Sequence, residues 1–272
     1  SGSRTDISLP AIQQQWMEQI LPYAKKSVVL LFNGRPLELT KLSTETDAIL
    51  ECWFPGTEGA HAIVDLLMGD VAPSGKLTTS FPYHVGQEPL YYAQFNTGRP
   101  ARKNSTERFV SRYLDCPNGA LFPFGHGLSY HKVVYSGLRL SDTILHSGEV
   151  ITAQVNVQNT GDTAGDEIVQ LYIRDRVGSV VRPMQELKGF QRIRLEAREC
   201  RTVTFEITED MLKFYNAALE YTAEPGMFDV MVGSSSVDVL AAGFQLIEAS
   251  ERPPLVSRVN NRKPRPNSYA GK

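Results

Sequence analysis

Chemistry in a protein needs nucleophiles, acids, bases or metal ligands at workable spacing, and this sequence offers carboxylates first. Asp6, Glu58, Asp65 and Asp70 lie in the first seventy residues, but none forms a pair by spacing, and each also fits as a cap or a solvated helix residue. The five histidines, His61, His84, His126, His131 and His146, show no two at metal-ligand spacing, so metal catalysis has no sequence support. Cys52, Cys116 and Cys200 are an odd, scattered set; they are expected to be mostly buried free thiols and not a disulfide framework or a zinc site. "PGTEG" opens a run of helical periodicity whose free N–H groups can hold an anion. The same residues serve equally as a tight strand-to-helix turn, with Glu58 complementing the helix dipole. No GxGxxG, no GxxxxGK and no GxSxG occurs, which leaves dinucleotide, P-loop and nucleophile-elbow chemistry without a motif.

The elements that must position these residues fall into two styles. Pro10 suits a first helical turn, and Ile12, Trp16, Ile20 and Leu21 then recur at helical spacing, so a helix is expected over about 10–25. "SVVLLF" (Ser27 to Phe32) reads as a strand covered on both faces in a parallel sheet, and "DAILECWF" (Asp47 to Phe54) as a second. "GAHAIVDLLMGD" (Gly59 to Asp70) places Ala62, Ile63, Leu66 and Leu67 on one helical face, with Gly69 as C-cap, and "PSGKL" turns into "TTSFP". Strand, helix and strand with short connections imply an α/β layer structure. Two or three strands are few, so the sheet reads as the tail of a larger one. Residues 84–120 form a long irregular loop whose aromatic content argues for order.

From about residue 132 the period changes to two. "EVITAQVNVQNTG", "DEIVQLYIRD", "QELKGFQRIRL", "CRTVTFEIT" and "GMFDVMVGSSS" are short strands separated by turn signals. They predict an antiparallel β-sandwich of immunoglobulin or fibronectin type III kind, running to about residue 248. Residues 249–272 are proline-rich and basic, an extended tail. The expected fold class is therefore α/β followed by all-β, divided as an α/β piece over 1–120, a linker over 121–131, a β-sandwich over 132–248 and the tail. With 28 Lys+Arg against 30 Asp+Glu, the chain lacks the basic footprint of a nucleic-acid binder. No apolar run reaches the roughly 18 to 20 residues that span a bilayer, so neither nucleic acid nor membrane is expected as a partner.

"ILECWFPGTEGAHAIVDLLMGDVAPSGKLTTSFP", then "FNTGRP", then "YLDCPNGALFPFGHGLSYHKVVYSGLRLS", in this order and spacing, closely resemble the C-terminal half of glycoside hydrolase family 3, especially its bacterial periplasmic β-glucosidases. "VQNTGDTAGDEIVQLYIRD", "RPMQELKGF" and "EPGMFDVMVG" are similar to the fibronectin type III-like domain of such enzymes. The resemblance covers residues 1–247. It implies a three-part enzyme: a TIM-type barrel carrying an aspartate nucleophile, an α/β sandwich carrying an acid/base glutamate, and the fibronectin-like domain. It also implies that the glutamate stands immediately before the position of Ser1, so that both catalytic carboxylates fall outside this sequence and the chain alone is inactive.

The same resemblance implies retaining hydrolysis of terminal β-D-glucosyl residues, no cofactor, a periplasmic or secreted location, the barrel part of the same enzyme as a partner, and a possible homodimer. The site contribution expected from this chain is Ser3 and Arg4, which follow the acid/base, and the "YYAQFNTGRP" segment. There Tyr91, Tyr92, Phe95, Asn96 and Arg99 form the aromatic and polar mixture that lines sugar sites, although loop packing at a domain or subunit interface accounts for the same residues. "FPFGHGLSY" (Phe122 to Tyr130) is expected to be a structural linker. The alternative is a non-catalytic carbohydrate- or partner-binding scaffold. A bare apolar face would favour the enzyme part, and an exposed aromatic row on one sheet would favour the binding module.

Overall fold

The computed structural model describes residues 4–101 and 107–248. Ser3 and the 249–272 tail, both singled out from sequence, lie outside the described residues.

The first part is built on α1 (Ala11–Ile20), a 3-10 turn (Leu21–Tyr23), β1 (Val28–Leu31), α2 (Thr40–Glu45), β2 (Ala48–Glu51) and α3 (Gly59–Met68). β1 and β2 pair in parallel, Val28 opposite Ala48 and Leu31 opposite Glu51, and form a two-stranded sheet. Gly69 closes α3 in the left-handed region at φ 84°, its N–H bonded to the Leu66 carbonyl, as a helix-ending glycine does. α2 was not foreseen: "LTKLSTE" has little helical periodicity, and the helix is held by Leu42, which is buried with Leu31, Leu39 and Phe81.

Two expectations for this part change. "TTSFP" is not a third strand of the parallel sheet. Leu77 just before it and Phe81 within it pair instead with the linker: Leu77 N–H donates to the His126 carbonyl, Gly125 N–H to Leu77, Phe81 N–H to Phe122 and Leu121 N–H to Phe81. β1 is not covered on both faces, since only Leu31 is buried and Val28 is 48% exposed. The apolar faces of the helices are mostly bare as well. Ile12, Trp16 and Ile20 of α1 are exposed while Met17 turns inward, and on α3 Ile63 and Leu66 are half-buried but Ala62 and Leu67 are exposed.

The second part is the expected sandwich. One sheet has strand order β4 (Ile144–His146), β12 (Val239–Ile247), β11 (Gly226–Gly233), β6 (Gly165–Asp175) and β7 (Glu186–Leu195). The other is β3 (Val133–Leu140), β5 (Val150–Asn159) and β8 (Cys200–Thr208). A small hairpin pairs β9 (Phe214–Tyr215) with β10 (Tyr221–Thr222). All pairs are antiparallel except β4 with β12. Alternation places Ile151, Ala153, Val155 and Val157 of β5 and Val203, Phe205 and Ile207 of β8 inward against Val169, Leu171, Val230, Val232 and Phe244 of the facing sheet, one core between two sheets. Asn159 is fully buried: its Nδ2 donates to the carbonyls of Thr163 and Glu196, and its Oδ1 accepts from Gly161 N–H. The cysteines are free thiols, but none is buried; Cys52 and Cys116 are half-buried and Cys200, at the start of β8, is exposed.

Candidate functional site

Two groups of expected site residues sit on different supports. Arg4 is exposed, and its carbonyl accepts from the Arg35 guanidinium just past the carboxyl end of β1. The chain beyond it runs beside residues 35–38, with Glu38 N–H bonded to the Ile7 carbonyl and Ser8 bridged to Glu38. Carboxyl ends of parallel strands are where α/β sheets place ligands. At this edge the structure adds residues that sequence reasoning did not single out. Asn33 donates through Nδ2 to the Arg35 carbonyl, and the Glu51 carboxylate accepts from Trp53 N–H at 3.0 Å. Glu51 Oε2 and Asn33 Oδ1 are buried with no hydrogen-bond partner among the described residues. Burial pushes the Glu51 carboxyl above its ordinary value, against the pull of the bonds from Trp53 and Asn33. Trp53 takes φ 47°, a region that non-glycine residues seldom adopt. The available signal was a glutamate closing an otherwise apolar strand, "AILE".

The aromatic segment is fixed against the sandwich. Phe95 bridges Pro183, and Met184 N–H donates to the Gln94 carbonyl. Tyr92 is committed to the junction: its ring stacks on Phe124 with centroids 4.1 Å apart, meets Tyr172 edge-on at 5.9 Å, and its hydroxyl accepts from Leu187 N–H. Phe95 (58% exposed), Asn96 and Arg99 project outward beside it, as does Tyr91. The structure thus groups Phe95, Asn96 and Arg99 on one exposed segment, places Arg4 at the strand edge, and gives Tyr92 a packing role.

Within the first part lies a cleft of about 650 Å³ lined by Glu38, Thr40, Tyr83, His84, Tyr113 and Asp115 among others, within the size range of small-molecule sites; none of Tyr92, Phe95, Asn96 and Arg99 lines it. Gln87 holds its wall, accepting from Tyr83 N–H and donating to the carbonyls of Pro117 and Gly119. Among the described residues no group of three or more His, Cys, Asp or Glu is arranged to hold a metal ion, and no helix is long and apolar enough to cross a membrane.

Residues 1–130 match the glycosyl hydrolase family 3 C-terminal domain, and residues 167–236 match a fibronectin type III-like domain. The chain's first part is a glycoside hydrolase family 3 C-terminal domain. The chain is 44% identical over 247 residues to a periplasmic beta-glucosidase of Salmonella typhimurium, an alignment covering 91% of this chain and 32% of that protein. It is 40% identical to a beta-xylosidase of Formosa agariphila, over 86% of this chain and 32% of that one. Among solved structures, a beta-glucosidase from Listeria innocua in complex with glucose superposes with a TM-score of 0.85 at 44% identity, covering 90% of this chain and 34% of the other. The chain therefore spans about a third of the length of these family 3 relatives and corresponds to their C-terminal part.

Proposed function

We propose that this chain is the C-terminal portion of a retaining β-glycosidase that hydrolyses terminal non-reducing β-D-glucosyl residues. The aspartate nucleophile and the acid/base glutamate are supplied by sequence outside it. One carboxylate attacks the anomeric carbon to form a glycosyl-enzyme while the other protonates the leaving oxygen and then activates water.

The observation that carries the reading is the bare apolar surface of the first part. Ile12, Trp16, Ile20 and Tyr23 are 57%, 61%, 64% and 90% exposed, and Val64, Met68 and Val71 on and after α3 are more than half exposed. A parallel sheet of two strands with helices so uncovered is a layer awaiting its other half. Within this proposal Ser3 and Arg4 orient the acid/base or meet sugar hydroxyls. Phe95, Asn96 and Arg99 supply a stacking ring and hydrogen-bond donors at the rim, and Tyr92 holds their segment in place. The β-glucoside substrate and a periplasmic location belong to the same reading, supported by the relatives' names; secretion and assembly as a homodimer belong to it on the family resemblance alone.

The alternative of a stand-alone binding module calls for a row of aromatics along one sheet. The exposed rings of the sandwich, Phe190 on β7 and the Tyr215–Tyr221 pair on the β9–β10 hairpin, do not form one. The test is hydrolysis of a p-nitrophenyl β-glucoside by the chain alone and after co-expression with the N-terminal portion of a family 3 β-glucosidase. Activity only in the co-expressed pair supports the proposal; turnover by the chain alone, or none in a pair shown to associate, overturns it.

A further inference from the structure

Segment 121–131 is clasped from both sides. Leu77 and Phe81 of the first part exchange backbone hydrogen bonds with it. From the sandwich, Gln170 Nε2 donates to the Gly125 carbonyl at 3.2 Å, and Phe124 O accepts from Ser236 N–H at 3.0 Å. Lys76 spans the junction, donating to the Gly127 carbonyl at 3.1 Å and lying 3.3 Å from Glu167, with both side chains almost wholly buried. The Tyr135 hydroxyl donates to the same Glu167 carboxylate at 2.8 Å.

His131 ends this segment and is 5% exposed. Its ring lies so close over Gly165, at the start of β6, that a Cβ there would stand 2.1 Å from Nδ1. Nδ1 is 2.8 Å from the Ser129 hydroxyl, while Nε2 is enclosed with no hydrogen-bond partner among the described residues. A neutral ring tolerates this: with Nδ1–H donating to Ser129, only a lone pair at Nε2 goes unmet. A charged ring does not, because protonation puts a second N–H into a space with no acceptor. The charged groups facing the ring are Glu167 and Asp166 from β6, Lys76 from the segment after α3, and Arg194 from β7. Glu167 is already engaged by Lys76 and Tyr135. Burial, the largest influence, holds the ring's pKa below the usual imidazole value, with Lys76 and Arg194 acting in the same sense and Glu167 and Asp166 opposing.

We propose that His131 is the trigger of an acid-sensitive latch between the α/β layer and the sandwich: charging its ring displaces it from β6 and loosens segment 121–131 while the sandwich core stays folded. The folded chain takes up this proton less readily than an open junction does. The latch is therefore fully closed above the ordinary imidazole range near 6.5, and its hold weakens as pH falls through the window below it.

Hydrogen–deuterium exchange of the 272-residue chain from about pH 7.5 to about pH 5, corrected for intrinsic rates, reads the latch directly. Peptides covering 121–131 are expected to lose protection by about tenfold or more toward the acid end, with peptides from β5, β6 and β11 unchanged. His131→Asn is expected to abolish the step, and His126→Asn, in the same segment, to retain it. A wild-type chain with no step, a step that survives in His131→Asn, or one that disappears in His126→Asn overturns the proposal. Should His131→Asn fail to fold, the NMR titration of the wild-type His131 ring decides: a midpoint well below 6.5 supports the latch, and one at or above it overturns it.

Discussion

Gly125 and Gly56 both take left-handed backbone, at φ 79° and 71°, but in different surroundings. A Cβ on Gly56 meets nothing within 4 Å, whereas one on Gly125 would lie 2.1 Å from Gln170 Oε1 and within 3.0 Å of the rest of that amide. Gly56→Ala should therefore cost only the left-handed penalty, about 1–2 kcal/mol. Gly125→Ala carries the same penalty and must also push Gln170 aside. That breaks its donation to the Gly125 and Ser234 carbonyls and leaves buried polar groups unmet, a further loss of about 2–3 kcal/mol. The expected total for Gly125→Ala is about 3–5 kcal/mol. The chain's two tryptophans, Trp16 and Trp53, both lie in the first part, so urea unfolding followed by their fluorescence reports the region that Gly125 anchors. Equal losses in the two variants, or a smaller loss at Gly125, would refute the claim that Gln170 packs the junction against a bare glycine.

Other substitutions probe separate claims. Tyr92→Ala removes a ring packed between Phe124 and Tyr172 and should cost about 3–5 kcal/mol, whereas Tyr92→Phe, losing only the bond from Leu187 N–H, should cost about 1 kcal/mol; urea titration compares them. Trp16→Lys on the exposed stripe of α1 should change the stability of the chain by less than about 0.5 kcal/mol yet reduce self-association, measured by light scattering across protein concentration. Asp175 has its carboxyl pushed above the ordinary value, first by burial, against bonds from Val177 N–H and attraction from Arg182. Its ionised form therefore burdens the fold, and stability falls as pH rises from the ordinary carboxylate value of 3.8 through the raised one. Melting temperatures of Asp175→Asn across that range should lose this slope.

The sandwich was legible because its strands alternate: in "EVITAQVNVQNTG" the pattern of Val150, Thr152 or Ala153, Val155 and Val157 marks an inner face, and Ala153, Val155 and Val157 do turn inward, while Val150 is exposed and Ile151 takes the inner place. α1 and α3 were legible in type but not in surroundings, and α2, with little periodicity, was not legible at all. Periodicity in α1 identifies a stripe of Ile12, Trp16 and Ile20, but not whether a neighbour within the same chain covers it, and here none of the described residues buries it. "TTSFP" looked like a strand because its composition is strand-like; its pairing with the linker depends on partners forty or more residues away. The candidate site was read in part. Tyr92, Phe95, Asn96 and Arg99 stand out as candidates by composition, but Tyr92's commitment to Phe124 and Tyr172 depends on packing across the chain. Glu51 and Asn33 drew no notice because their isolation as buried oxygens exists only once β1 and β2 are side by side.

The pairing of residues 77–81 with 121–126 bears on how this architecture can be recombined. Any exchange of parts that cuts at residue 120 takes away the backbone groups that Leu77 and Phe81 bond to, and with them Phe122, which meets Phe81 edge-on at 6.3 Å. The transferable module is then not the stretch that ends where the irregular loop ends. It is the α/β layer together with the strap as far as His131, and a graft onto a foreign sandwich must bring a glycine at the Gly165 position to receive that ring.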